Sequence, residues 1–466
     1  MRKTVGDLLP ARRDVLKLGG YGLLGAFADQ AFWPVKASAA GRTNPRGTAR
    51  FAIVIELAGA LSHIDSFDFK EGEGTPKDLD VRQVRNGLYL SNRLFPELSK
   101  EMDKITVVRS MKSHEVVHFR GQYYTQAGRP LNPAQAQEIP SIGSVVAYEL
   151  ENARRESDTF PTYIGCGLET SGCGALSTGF LPPRHSVLDI NLQSGGGAAA
   201  VQGEALALLR ERFRLLSELD RTMSAGRTGR DRSFTGFRSF QESAYEILGD
   251  SRWPLTFNMS AEEKARYGDN QVGLGCLFAR NLVQADAGTR YIHIVHPDWD
   301  HHKSIFDHSQ KSNHYIRCTE FDRAMANLLR DLSAAPSPRL AGKTLLDETM
   351  VVMVTEFGRV PGALNGIAGR HHYNEAYLTL FAGGGVKGGR ILGNTNATGE
   401  KVIDTGWKYA KIQPRTENVC ASVYSALGID WRKEMTNTPS KRAYRYVDVL
   451  GATEVVPDDE IADLFV

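Results

Sequence analysis

The chain has 466 residues, and its 56 Lys and Arg nearly balance its 54 Asp and Glu, for a formal net charge of +2. Hydrophobic residues make up 41% of it, enough for a sizeable core, and the length exceeds that of one small domain. A charge this close to zero gives no reason to expect nucleic acid or a membrane surface as a partner.

The first 40 residues predict a targeting segment. Arg12 and Arg13 precede a mildly apolar run, and Ala37-Ser38-Ala39 offers a cleavage site. This order resembles a twin-arginine export signal, so we expect the export machinery as a partner and a periplasmic or extracellular location. An ordinary amphipathic first helix is the alternative. The chain has no run of 18 apolar residues, so no stable membrane insertion is expected after signal cleavage.

Strand and helix signals alternate after a linker at residues 41–50. Strands are predicted at 51–57, 105–109, 291–295, 349–355 and 376–381, and helices at 141–152, 204–221, 238–248, 274–285, 319–332 and 417–427. Gly-rich loops dominate residues 161–200. The alternation predicts an α/β domain over 51–450 with a mostly parallel sheet, helices on both faces and a helical insertion at about 203–270. Residues 451–466 read as a tail.

Histidines and carboxylates are concentrated just beyond the predicted strand ends. Six of the twelve histidines lie between His293 and His314, and Arg370-His371-His372 forms a second group. Ligands of such sheets bind at the carboxyl ends of the strands, so these side chains should meet at one edge. The sequence therefore predicts a divalent-metal site. Mixed nitrogen and oxygen ligands favour zinc or manganese, with calcium or magnesium as alternatives.

Spacing narrows the candidate ligands. Residues two apart in extended backbone face the same way, so Asp300 and His302 can share one ion while His301 points elsewhere. Only one of His371 and His372 should bind for the same reason. The predicted metal ligands are His63, Asp65, Asp300, His302, Glu356 and His372.

Several other candidate site residues could have a purely structural role instead. Arg120 and Arg359 could clamp an anionic group, or they could form surface salt bridges. Asp65 could instead serve in a turn near Ser66. Inside its strand, His293 is expected to be a core histidine. We expect His308 and His314 to be solvated loop residues. Arg120 and Arg359 are predicted catalytic residues.

Several motifs together resemble a known family. They are S-H-I-D-S-F-D-F-K, V-R-S-M, H-x-x-G-x-Y-x-x-x-x-G-R, W-D-H-H, V-T-E-F-G-R-V-P, G-R-H-H and A-G-G-G-V-K-G-G, in this order from about Phe51. The chain resembles the secreted bacterial domain-of-unknown-function family 1501, placed in the alkaline phosphatase and sulfatase superfamily. The resemblance implies an alkaline phosphatase-like fold, with Asp300, His302 and His372 at metal-ligand positions.

The chain departs from the superfamily at the nucleophile. Sulfatases place it ten residues before the Gly of a T-G-R segment; counting back from Gly128-Arg129 reaches His118, and Ala127 replaces the Thr. This leaves His118 as a metal ligand or as the attacking group itself. The Asp that ends the first strand is also missing, and His63 or Asp65 could substitute for it.

Two functions follow as expectations. The first is an exported metal-dependent hydrolase of phosphate or sulfate esters, small-molecule or glycan, in which Arg120 or Arg359 neutralises developing charge. The second is a non-catalytic protein that binds a polyanion or glycan, or acts as a scaffold, on a degenerate form of the same fold.

Overall fold

An eight-stranded sheet organises the protein in a computed structural model that describes residues 37–38, 43–194, 203–224, 242–448 and 457–465. Its strands are β1 (Phe51–Leu57), β2 (Ile105–Met111), β3 (Tyr163–Cys166), β4 (Leu188–Ile190), β5 (Tyr291–His296), β6 (Thr349–Val354), β7 (Tyr377–Ala382) and β8 (Arg390–Leu392).

Nine helices are described around the sheet. They are α1 (His118–Ala127), α2 (Ile142–Glu149), α3 (Gly203–Ser224), α4 (242–249), α5 (Arg252–Thr256), α6 (Ala261–Tyr267), α7 (Gln271–Ala285), α8 (His314–Ala334) and α9 (Thr416–Ala426). Short 3-10 turns occupy Leu98–Glu101, Glu151–Ala153, Leu168–Thr170, Pro183–His185 and Ala462–Leu464.

The strand order across the sheet is β8-β2-β7-β6-β1-β5-β3-β4. Seven strands run in one direction, and only β7 is antiparallel to its neighbours β2 and β6. The carboxyl ends of the seven strands therefore share an edge with the amino end of β7. This geometry matters for the site, because a residue just before β7 reaches the same edge as residues just after β2, β5 and β6.

Alternating side chains of β1 face two cores, one on each side of the sheet. Ile53 and Ile55 pack into one core with α7 and α8, whereas Ala52 and Val54 pack into the other with α2 and α9. A strand buried on both faces is expected to be apolar throughout, as the segment F-A-I-V-I-E-L is except for its glutamate. The predicted α/β class, with a mostly parallel sheet covered on both faces, is confirmed.

The smaller strands form ribbons outside this sheet. Val81–Arg85 pairs with Leu88–Ser91, Gly358–Arg359 with His372–Tyr373, and Asn394–Thr395 with Val402–Asp404, while Ala37–Ser38, Glu434–Met435 and Tyr444–Arg445 make a three-stranded ribbon. Apart from Ala37–Ser38, the predicted export signal lies outside the described residues, as do residues 451–456 and 466 of the predicted tail. None of the described helices combines the length and apolar character that crossing a membrane requires.

The sequence predicted that His293 would lie in the core and that His314 would be exposed to solvent. His293 is buried on β5 and donates to Glu56 Oε2 at 2.9 Å, which confirms the expectation of a core histidine. His314 was expected to be solvated, but that prediction is wrong. It is the first residue of α8, fully buried, and its Nε2 donates to the Asp65 carbonyl at 3.1 Å.

Candidate metal centre

Three segments bring four donor side chains together at the edge of the sheet. His118 begins α1, seven residues beyond β2, and Asp300 and His302 lie in the loop after β5. His372 belongs to the short ribbon that precedes β7. One donor atom from each of the four residues lies within 4.8 Å of the others. We call His118, Asp300, His302 and His372 the four-donor cluster.

The Oδ1 atom of Asp300 lies close to the Nε2 atoms of all three histidines of the cluster. Asp300 Oδ1 lies 3.1 Å from His118 Nε2, 3.1 Å from His302 Nε2 and 3.8 Å from His372 Nε2. The Nε2 atoms of His302 and His372 are 2.7 Å apart. In a tetrahedral zinc site with bonds of ~2.0–2.1 Å, neighbouring donor atoms are about 3.3 Å apart. The cluster is thus close to the size that one such ion requires.

Two of the imidazoles are held with Nε2 directed into the cluster. His118 Nδ1 donates to Glu356 Oε2 at 2.9 Å, and His372 Nδ1 donates to the Val116 carbonyl at 2.5 Å. A ring whose Nδ1–H is bound to an acceptor presents the lone pair of its Nε2, as metal-binding histidines do. Three imidazole nitrogens and one carboxylate oxygen form a donor set of the kind that holds a divalent metal ion.

Burial and neighbouring charged groups shift the pKa values of three residues in the cluster. Burial opposes protonation of His118, but hydrogen bonds to Asp300 and Glu356 outweigh it and raise the pKa of His118 to about 9. Burial would raise the pKa of Asp300, yet His118, His372 and Arg359 hold it well below its usual value. Burial lowers the pKa of His302. Both carboxylates therefore favour the protonated form of His118, and an ion would compete with a proton for its Nε2.

Glu356 is placed behind His118 rather than inside the cluster. Its Oε1 accepts from the Gly59 amide at 2.9 Å and from the Gln122 side chain, while Oε2 accepts from His118. Gly59 itself has φ +113°, and a Cβ there would lie 2.5 Å from the Asp300 amide nitrogen. Only glycine lets the chain pass so close to the loop that carries Asp300.

Arg359 fixes Asp300 from the other side. This fully buried guanidinium donates to Asp300 Oδ1 at 2.6 Å and to the carbonyls of Gly59, Ala60 and Arg370. All of these acceptors belong to the protein. The arrangement makes Arg359 a positioning residue for the carboxylate. The sequence left open a clamp for an anionic group or a surface salt bridge, and the ion pair with Asp300 is a salt bridge made by a buried guanidinium.

Arg120 also has a protein partner. Although it lies on α1, two residues after His118, its guanidinium makes a bidentate pair with Glu115 at 2.7 and 3.0 Å. The pair spans the turn that contains Val116 and Val117. Arg120 therefore braces the segment leading into α1, which matches the salt-bridge alternative.

His63 and Asp65 are not brought into the four-donor cluster, unlike the expectation from sequence. Asp65 is fully buried and forms a bidentate pair with Arg370 at 2.6 and 3.1 Å. His63 donates from Nε2 to the Gly399 carbonyl at 2.9 Å, and burial lowers its pKa. The segment after β1 is buried at this point, so Asp65 and the Nε2 of His63 find partners within the protein, whereas the buried His63 Nδ1 has none among the described residues.

The paired histidines diverge as their spacing suggested. His301 is buried, and burial, together with nearby His314, lowers its pKa to about 3, whereas His302 faces the cluster. His371 is exposed, whereas His372 lies in the cluster.

Sequence reasoning missed Gln122 and Val116. Gln122 donates to Glu356 and accepts from Ser171 Oγ at 3.1 Å, which ties the loop after β3 to the centre. Val116 contributes only its carbonyl, which no side-chain pattern can reveal. A helical reading of residues 118–127 would have placed Gln122 one turn after His118, on the same face.

Comparison with known proteins identifies the family of the chain. No curated protein matches the chain. A crystal structure described as a protein in the alkaline phosphatase superfamily from Vibrio parahaemolyticus is similar at 12% identity and a TM-score of 0.35, covering 91% of this chain and 76% of that one. A family model described as "Protein of unknown function (DUF1501)" matches residues 49–457. The chain therefore belongs to the DUF1501 family.

Proposed function

We propose that the protein is a metal-dependent hydrolase of phosphate or sulfate esters. The observation that carries the proposal is the convergence of three imidazoles and one carboxylate on a single point at the carboxyl ends of the strands. Zinc is the favoured ion, with manganese next. A divalent ion held there would supply Lewis acidity toward an anionic ester oxygen.

The surrounding residues support such a centre by fixing its donors. Glu356 and the Val116 carbonyl set the orientation of His118 and His372. Arg359 holds Asp300 and keeps that carboxylate ionised. Asp300 and His302 remain partly open to solvent, so a substrate could reach the cluster from outside. Pre-fixed donors of this kind lower the cost of organising a site when ligand arrives.

A specific observation favours a second function. The position that matches the superfamily nucleophile is His118, and both of its ring nitrogens face carboxylates of the protein. A group engaged in this way is poorly placed to attack an ester. The alternative is therefore a protein that binds a polyanion or glycan, or acts as a scaffold, without turning a substrate over.

Elemental analysis of protein purified without chelator tests the proposal first. We expect near-stoichiometric zinc or manganese, lost in His302→Ala and retained in the matched control His371→Ala. The loaded protein is then assayed with aryl phosphates, phosphodiesters, sugar phosphates and sulfate esters. Metal-dependent turnover that disappears in His302→Ala supports the hydrolase. Bound metal without turnover, together with saturable glycan binding, supports the alternative. Only trace metal after reconstitution overturns the metal centre.

A further inference from the structure

Exposed apolar side chains occur in the segments that carry the four-donor cluster. Thirteen large hydrophobic residues are exposed in the described part of the chain, and five of them lie in the segments that carry or hold the cluster. They are Val116, Val117, Phe119, Val360 and Ile367, which we call the apolar rim. Scattered single residues of this kind are normal on a surface, but a group of them next to polar ligands marks a binding site.

One part of the rim precedes and begins α1. Val116 and Val117 stand immediately before His118, and Phe119 follows it, each between 44% and 52% exposed. The Val116 carbonyl is the acceptor for His372 Nδ1 at 2.5 Å. The rim and the cluster are therefore joined by a direct hydrogen bond through the backbone.

The other part lies on the segment between Arg359 and His372. The Val360 amide donates to the His371 carbonyl at 2.9 Å. Ile367 belongs to a loop that is tied to His302, because Asn365 Nδ2 donates to the His302 carbonyl at 2.9 Å. Backbone contacts thus hold both parts of the rim to residues of the cluster.

The rim also breaks a local rule of helix formation. Val117 is the N-cap residue of α1, and it provides no side-chain hydrogen bond to the helix. The side chain of Ser, Thr, Asp or Asn at this position would accept a hydrogen bond from a helix amide and stabilise the helix relative to an apolar residue. The neighbouring turn is instead held by the Glu115–Arg120 pair. An exposed valine at a position that favours a polar residue points to a role in binding rather than in folding.

We propose that the apolar rim binds the alcohol part of the substrate, so that the preferred esters carry an alkyl or aryl group rather than a sugar. This inference rests on the proposed function for the reaction. The anionic phosphate or sulfate end meets the cluster, and the apolar end covers Val117 and Phe119. Burial of apolar surface then supplies affinity that a polar alcohol cannot gain there.

A homologous series of alkyl phosphates tests the rim, because ethyl, butyl and octyl phosphate differ in apolar area with almost the same leaving group. Binding to the zinc-loaded full chain is measured by calorimetry, and turnover is measured in parallel. We expect affinity to rise about twofold to fourfold for each added methylene, up to the ~0.8 kcal/mol of a fully buried one. Glucose 6-phosphate should bind no more tightly than ethyl phosphate.

Substitutions in the apolar rim test whether its side chains cause the chain-length dependence of binding. Val117→Ser combined with Phe119→Ser should remove most of the chain-length dependence of binding while zinc content stays unchanged. Ile403→Ser, an exposed apolar residue on another ribbon, is the matched control and should keep the full dependence.

The outcomes separate the two proposals. Affinity that does not change with chain length, or tighter binding of the sugar phosphate, overturns the rim even if esters are hydrolysed. Chain-length-dependent binding without any turnover supports the rim and overturns the hydrolase.

Discussion

Glu356 accepts a hydrogen bond from His118 Nδ1 at 2.9 Å, and this contact sets which nitrogen of His118 faces the four-donor cluster. The carboxylate is completely buried and is itself held by the Gly59 amide and Gln122. A carboxylate behind a metal-binding imidazole fixes the ring and makes it a better donor. Glu356 therefore acts on the centre through His118.

Replacing Glu356 with Gln keeps the shape of the side chain and removes its charge. We expect zinc affinity to fall ~10–100-fold, the usual cost of losing such a partner. Competition with a chromophoric chelator measures it. Glu115→Gln is the control, because that carboxylate pairs with Arg120 and not with the cluster. Equal affinity in Glu356→Gln and the native protein would show that Glu356 has no part in holding the ion.

Gly121→Ala tests how closely α1 must approach Glu356. A Cβ at this position would lie 2.7 Å from Glu356 Cβ and 3.2 Å from the Phe357 ring. Alanine favours a helix over glycine by about 1 kcal/mol, so propensity alone predicts a gain in stability. We expect the opposite: a lower melting temperature and weaker zinc binding. Gly72→Ala, where a Cβ meets no atom within 4 Å, should change neither quantity.

Arg359 and Arg120 should differ sharply in their effect on stability. Arg359→Met leaves Asp300 without its buried cation and several carbonyls without a donor, so the free energy of unfolding should fall by ~3–5 kcal/mol. Arg120→Met removes a more exposed pair and should cost ~1 kcal/mol or less. Denaturant unfolding of the two variants measures both. Similar losses would contradict the buried, positioning role of Arg359.

Asp322 on α8 should make stability depend on pH. Burial raises the pKa of this carboxyl to about 7, although the Glu97 and Leu98 amides donate to it. The folded protein thus binds this proton more tightly than the unfolded chain, so its contribution to stability is present at low pH. It is lost as pH rises from about 4 to about 7, by at most ~4 kcal/mol.

Asp322→Asn removes this titration. Unfolding free energies of the native protein and the variant are compared at pH 5 and pH 8. The native protein should lose stability relative to Asp322→Asn between the two. A constant difference would mean that the carboxyl titrates alike in both states.

Export remains a prediction from the sequence. Full-length protein expressed in bacteria should be recovered from the periplasm, and Arg12→Lys with Arg13→Lys should retain it in the cytoplasm. Conversely, periplasmic recovery of the double variant would favour an ordinary secretory signal.

The sequence predicted the long elements of the fold well because they are strongly apolar or strongly periodic. The strands at 51–57 and 291–296 were placed within a residue of their ends. Strands β3 and β4, of four and three residues, were missed because a short strand among glycines leaves little pattern. Helix α1 was missed because its buried residues include Gln122, Thr125 and Gln126, so it shows no apolar stripe.

The candidate site was predictable to the extent that it follows strand ends. Asp300, His302 and His372 come together because parallel strands and the antiparallel β7 share one edge. The positions of His63 and Asp65 could not be predicted, because they depend on partners far along the chain, Gly399 and Arg370. Spacing within one segment carries no information on such contacts.

The four donors span the chain from His118 to His372, and none of the three segments holds more than two of them. An unfolded chain would have to close one loop of about 180 residues, from His118 to Asp300, and another of about 70, from His302 to His372, to gather the same set. An ion in the cluster would therefore link separate regions of the chain. Because only the folded protein brings the donors together, the binding free energy of the ion would add to the free energy of unfolding. Metal content then becomes a report on folding: a chain that retains its ion has already assembled β2, β5, β6 and β7.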